Sequence, residues 1–373
     1  MNGLRSIVCI AKDIDDPRIE RTKLHKLTDI LFIVICAMIC GFTGWEQFEL
    51  FALSRVSWLK KYISLENGVP SHDTIRRVFE RIDPNQLKKA LTEWVKVLDI
   101  CLEGKVVAID GKTLRSSFSK TKSLAPLHTL SAWAVENRVV LGECDVDRKR
   151  NEIVMIPELL QILELKGAIV TIDAMGCQKH IAEQIVNKNK ADYVLALKKN
   201  QKQLYEEVEL LFKCAEYNRD ICTTYYQTKE KKHGRMEERL CLCAEVGNWL
   251  GELGKEWANL QTVAKMISTR EVSGEKSTEI RYYISSLPLD AQKIAQSIRN
   301  HWGIENTLHW GLDVVFHEDR CHIWKDNSPK NLATIRRIAF SLAKQRTPEG
   351  MSTRKAQLLT ALNFDEEFQF LLK

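Results

Sequence analysis

The sequence predicts a mixed α/β fold: a five-stranded sheet with helices on its faces, carrying a β-rich insertion and preceded by a helical segment. Three observations carry this expectation. Val106-Val107-Ala108-Ile109 runs straight into Asp110, and Ala168-Ile169-Val170-Thr171-Ile172 runs straight into Asp173. Short, continuous, β-branched apolar runs read as buried central strands. Around these two runs the periodicity alternates in the order βββαβαβα. Residues 221–286 then depart from that rhythm with two strand–turn–strand patterns.

Composition sets the outer limits. A chain of 373 residues has room for two or three domains and a large core. Its 55 basic and 49 acidic residues leave a net charge of +6, a bias that permits an anionic partner without demanding one. The 11 cysteines are odd in number and form no CxxC pair, which reads as reduced thiols in a cytoplasmic protein. The longest apolar run, Ile30–Phe42, is shorter than the ~20 residues that cross a bilayer, and no signal sequence opens the chain, so no membrane partner is expected.

Residues 1–100 read as helices. Thr28 and Gly41 look like the caps of a buried helix, and a second helix follows from Trp45 to Tyr62. After Pro70-Ser71, the residues Ile75, Val78, Phe79 and Ile82 fall on one helical face, leaving Arg76, Arg77 and Arg81 elsewhere. That short helix admits two readings, a DNA-recognition helix or a solvated face of a small bundle. Asp83-Pro84 ends it and caps the next helix, which carries Leu87, Leu91, Trp94 and Leu98.

From Lys105 the pattern turns to strands. Gly111 is read as ending the strand of Asp110. His128–Val135 and Val139–Val146, joined by a turn at Glu136-Asn137-Arg138, complete an antiparallel meander. A helix from Ile153 to Leu165 leads to the strand of Asp173. Helix Gln178–Lys188, strand Asp192–Leu197 and helix Gln201–Phe212 follow. The organisation is therefore a helical segment 1–100, the first part of an α/β domain 101–220, a β-rich insertion 221–288, and closing helices 289–373.

In those closing helices, Ile294, Ile298, Trp302, Glu305, His309 and Leu312 recur at helical spacing, which places Glu305 within an otherwise largely apolar stripe. A buried carboxylate is costly unless paired or bound to metal. Asp110 and Asp173, on neighbouring parallel strands, would stand side by side, and a helix crossing that edge would add Glu305. Three converging carboxylates repel unless cations sit between them. Oxygen-only ligands favour hard ions, magnesium or manganese, and two such ions about 3.5–4 Å apart can hold a phosphodiester.

Basic residues recur after successive strands: Lys112, Arg115, Lys120 and Lys122; Arg148, Lys149 and Arg150; Lys198, Lys199 and Lys202; and Lys231, Lys232 and Arg235 at a hairpin tip. Such recurrence suits phosphate contact. His317–His322 fits no zinc spacing, and Walker, dinucleotide and GxSxG motifs are absent.

The segments Val107–Lys112, Val170–Met175, and His301–Asn306 with Leu308-His309-Trp310 resemble DDE transposases of bacterial insertion sequences, in the branch of the H-repeat-associated proteins. Asn151-Glu152-Ile153 and His233-Gly234-Arg235 are similar to that branch too, and the likeness spans nearly the whole chain. The resemblance implies a ribonuclease-H-like catalytic fold with a β-rich insertion before the third acid. It implies Asp110, Asp173 and Glu305 as the catalytic, metal-binding acids, and Mg2+ or Mn2+ as cofactor. Relatives place a tyrosine, an arginine and a lysine around the final glutamate, where this chain has Ile298, His301 and Leu312. His301 would thus replace arginine with a weaker, pH-dependent cation.

The implied partner is double-stranded DNA, at element ends and target, engaged by a homodimer. The DNA-binding residues expected are Arg76, Arg77, Lys112, Arg115, Lys198, Lys199, Arg235, Arg299 and His301. The implied activity is metal-dependent phosphodiester hydrolysis and strand transfer. A nuclease on the same fold that never joins, and a non-catalytic DNA-binding remnant of a mobile element, are the alternatives.

Overall fold

The computed structural model describes residues 6, 9, 11–117, 126–146, 151–218, 221–232 and 234–363. Lys120, Lys122, Arg148, Lys149, Arg150 and His233 lie outside the described residues. In chain order the helices are α1 (Leu27–Ile39), α2 (Trp45–Ser54), α3 (Val56–Leu59), α4 (His72–Arg81) and α5 (Pro84–Val97). Strands β1 (Val106–Leu114), β2 (Leu127–Ala134) and β3 (Val139–Asp145) precede α6 (Glu152–Ile162) and β4 (Ile169–Ile172). Then come α7 (Lys179–Glu183), β5 (Asp192–Leu197) and α8 (Lys202–Ala215). Strands β6 (Thr223–Lys232) and β7 (Arg235–Glu245) precede α9 (Gly251–Lys255), and β8 (Thr262–Val272) and β9 (Glu275–Ser285) follow it. Helices α10 (Ala291–Gly303), α11 (Ser328–Arg346) and α12 (Thr353–Leu362) close the chain.

Two compact units share these elements. One comprises residues 1–101, 111–149 and 305–373; the other comprises 102–110 and 150–304. In the first, α1 is buried on nearly every side, which accounts for its unbroken apolar sequence. Its N-cap is Lys26 rather than Thr28, and that cap has no side-chain bond. Ring contacts of Phe32 with Trp58 and Tyr62, at centroid distances of 6.0 and 6.1 Å, seal one side. Helix α2 stops at Ser54, before Arg55, so the single helix expected to Tyr62 is two. Helix α11 runs through the middle of this unit. Asn331 donates to the carbonyls of Phe79 and Ile82 at the end of α4, and Ser341 accepts from the amide of Val140 in β3.

In the second unit the hydrogen-bonded order is β1-β4-β5-β9-β8-β7-β6. Strands β1, β4 and β5 run parallel. Val107, Ala108, Ile109, Val170, Tyr193 and Leu195 are fully buried within it, as their continuous apolar sequence requires. The two expected hairpins, β6–β7 and β8–β9, are present; β7 pairs with β8 and β9 joins β5 antiparallel, so both extend this sheet. The four insertion strands are longer than their apolar patterns suggest, because continuous pairing from Val272↔Glu275 to Thr262↔Ser285 carries polar residues into the ladder. Ser273-Gly274, both at positive φ, make the tight two-residue turn. The mixed α/β class expected from the sequence, with a helical N-terminal segment, is the class observed.

Gly111 does not end β1. Pairing with β4 stops at Ile109↔Ile172, but the strand continues to Leu114 beside β2 in the order β3-β2-β1. There the hydroxyl of Thr129 donates to the carbonyl of Lys112. No helix among the described residues is long and apolar enough to cross a membrane, and all eleven cysteines are free thiols.

Candidate active site

Strand register sets the first two carboxylates. Val106, Val107, Ala108 and Ile109 pair in order with Ile169, Val170, Thr171 and Ile172. Asp110 and Asp173 are the residues that directly follow this pairing, Asp110 still within β1 and Asp173 just past the end of β4. Both are half-buried. Asp173 also caps a one-turn 3-10 helix, Ala174–Gly176: its Oδ1 accepts the amides of Met175 at 3.1 Å and Gly176 at 3.4 Å. Gly176 is required there, because a Cβ would lie 2.3 Å from Cγ2 of Ile172 and 3.0 Å from Cδ1 of Ile156.

Helix α10 packs on β4 and β5. From it, Nδ1 of His301 hydrogen-bonds Oγ1 of Thr171, two residues before Asp173, at 3.1 Å. Burial pushes the His301 imidazole below its ordinary range, and the nearby Asp173 charge works in the opposite sense. His301 therefore faces the sheet and braces α10 against β4. Arg299 is about half exposed, with its guanidinium 3.8 Å from the Glu230 carboxylate. Arg281 stacks 4.8 Å over the Trp302 ring.

Glu305 follows α10 on a continuous helical run, but the helix widens there into a π-turn, Ile304–His309, and again over Gly311–Val315. Widening rotates the buried face. Ile304, Leu308 and Leu312 are inside, whereas Glu305 is exposed. The buried stripe expected to include Glu305 is thus corrected, because the 3.6-residue period on which it rested does not hold past Gly303. Among the described residues, no three of His, Cys, Asp and Glu are gathered so as to hold a metal ion.

Lys112, next on the Asp110 side of β1, is buried rather than offered to solvent. Its Nζ lies 2.6 Å from Asp313, 3.6 Å from Asp319 and 3.8 Å from Glu318. Burial raises the Asp313 carboxyl above the usual range, Lys112 opposes this, and the charges of Asp319 and Glu318 add to it. Glu318 is also 3.1 Å from Nη1 of Arg337, whose Nε is 2.6 Å from Glu143, all three side chains being wholly enclosed. Burial works against the Arg337 charge, but Glu143 and Glu318 outweigh it and hold the guanidinium strongly protonated. Arg336, beside it, is buried too.

The remaining candidates differ in availability. Arg115 is largely exposed, its backbone amide donating to Asp319 at 3.2 Å. Lys198 and Lys199 are exposed. Arg235 is partly exposed, 3.1 Å from Glu237. Arg77 is exposed, but Arg76 is tied to Asp73 at 2.8 Å and Glu80 at 3.3 Å. Sequence reading missed Thr171, Asn200 and Gln201. The only available signal was polarity where strands end, at Asn200 and Gln201.

A family model described as "Transposase DDE domain" matches residues 102–342, and one described as "DDE_Tnp_1-associated" matches residues 10–95. "Putative transposase YncI" of Escherichia coli O157:H7 is 41% identical over 348 residues, covering 92% of this chain and 88% of that protein. "H repeat-associated putative transposase YhhI" of Escherichia coli K12 is 42% identical over 322 residues, 85% of each chain. Among solved structures, a piggyBac transposase synaptic complex with hairpin DNA aligns at a TM-score of 0.43 and 11% identity, covering 98% of this chain and 77% of that one.

Proposed function

We propose a reaction from one premise: the chain belongs to the DDE transposase family. In this reading Asp110 and Asp173, with Glu305 as third carboxylate, hold divalent magnesium or manganese and act on the phosphodiester backbone of double-stranded DNA. The observation that supports it is the register, which pairs Val106–Ile109 with Ile169–Ile172 on adjacent parallel strands, Asp110 and Asp173 each coming next in the chain. Converging carboxylates repel, and a cation between them relieves the repulsion. These donors are oxygen only, which suits hard ions. Both capping amides take the same oxygen of Asp173, and among the described residues no hydrogen bond or ion pair reaches its Oδ2.

When bound, such ions supply activation of an attacking water or 3′-hydroxyl and stabilise the leaving oxygen. The chain's own side chains bind and orient. Lys198, Lys199, Arg115, Arg299 and Arg77 offer exposed cations to phosphates, and Arg235 a partly exposed one. His301 holds β4 in place through Thr171. Lys112 organises the carboxylates around it instead of touching DNA. Two element ends joined to one target suit a homodimer.

Asp110→Asn and Asp173→Asn each keep shape and remove charge. Both should reduce cleavage of element-end DNA to background while DNA binding is retained. Normal cleavage by either variant overturns the assignment. Joining of a pre-cut end to target DNA by the unaltered protein distinguishes a transposase from a nuclease that only hydrolyses.

A further inference from the structure

The loop that follows Asp173 is held from outside by side-chain amides. Asn200 Nδ2 donates to the carbonyl of Ala174 at 2.7 Å. Gln201 Nε2 donates to the carbonyl of Cys177 at 2.9 Å and to Oε1 of Gln178 at 3.2 Å. Gln178 Nε2 in turn donates to the carbonyl of Met175 at 3.2 Å. Three carbonyls of the loop thus accept from side chains, while two of its amides donate to Asp173 itself. The donors Asn200 and Gln201 belong to the segment joining β5 to α8, immediately after the exposed pair Lys198-Lys199.

Stability alone is a poor explanation. The bonds of Asn200 and Gln201 are only part-buried, and a net hydrogen bond contributes only ~1 kcal/mol. What the contacts do supply is position. Asp173 has its Oδ1 orientation set by the amides of Met175 and Gly176, and those amides are as fixed as the carbonyls around them. We propose that Asn200 and Gln201 are positioning residues for Asp173, clamping its loop so that the carboxylate is oriented for the metal, with Lys198 and Lys199 set beside the same loop for phosphate. This rests on the reading of Asp173 as a metal ligand.

The test measures Mn2+ binding to the full-length, metal-free protein by titration calorimetry, together with the Mn2+ concentration that half-saturates DNA cleavage. Asn200→Ala and Asn200→Asp, the second removing the donor at constant size, should each weaken Mn2+ binding about tenfold. Half-saturating Mn2+ should rise in step, cleavage should recover at high Mn2+, and KM for DNA should stay unchanged. A variant damaged only in folding would not recover with added metal. Gln201→Leu provides a second route should either Asn200 variant fail to fold. If Asp173→Asn weakens Mn2+ binding but the Asn200 and Gln201 variants leave it unchanged, the clamp is refuted. If Asp173→Asn itself leaves Mn2+ binding unchanged, the underlying site reading fails instead.

Discussion

Lys112→Met removes the cation from the middle of a carboxylate cluster. Among the described residues, Asp313 has no other ion-pair partner, whereas Glu318 keeps Arg337 and Asp319 keeps a distant contact with Arg115. The loss therefore falls on Asp313. Breaking a buried ion pair costs about 3–5 kcal/mol, and the 31% exposure of the Asp313 side chain argues for the lower end, about 3 kcal/mol. For a unit of this size that corresponds to a drop in Tm of about 6–12 °C.

The effect depends on pH. The folded-state pKa of Asp313 is already raised above 3.8, its ordinary value, and removing Lys112 raises it further. A carboxyl raised on folding weighs nothing against the folded state below its unfolded pKa, and its penalty grows as pH rises through the folded pKa. The Tm gap between variant and unaltered protein is thus expected to be wide at pH 8 and to narrow as pH falls toward 4.5. Adding Asp313→Asn to Lys112→Met should recover part of the loss. Circular-dichroism melts at the two pH values read this directly. A gap near zero at pH 8, or one of equal size at both pH values, refutes the reasoning.

Two further outcomes are expected. Gly176→Ala drives a Cβ into Ile172 and Ile156, an overpacking that costs about 1–3 kcal/mol. It should depress cleavage far more than DNA affinity, and equal losses in both would show that the tight turn does not serve Asp173. Lys198→Ala with Lys199→Ala should make the slope of log affinity against log salt shallower by about one unit per lysine. Anisotropy titrations across a salt series measure this, and an unchanged slope removes both residues from the DNA interface.

Much of the sheet was legible because burial writes itself into sequence. A strand enclosed on both faces must be apolar throughout, so β1, β4 and β5 are visible as runs, and the residues that break them, Asp110 and Asp173, are visible as sites. Helix α1 is legible for the same reason. Less legible was anything set by a long-range partner. Strand β1 passes through Gly111 because β2 continues where β4 stops. Lys112 has the look of a surface cation until Asp313, some two hundred residues on, is found beside it. Arg336 and Arg337 sit where a helical wheel shows a polar face, yet α11 is buried nearly all round.

The sequence by itself determined the class of fold, the two strand-end aspartates and the family, since each depends on local pattern or on motifs read in place. Only the tertiary structure decided which basic residues are available to a partner and which are locked against carboxylates, where the Glu305 helix widens, and what holds the Asp173 loop. The physical reason is that periodicity reports how one segment meets solvent and core. Ion pairs, side-chain amides on distant carbonyls and altered helical pitch depend on which segments meet each other, and no local period encodes that.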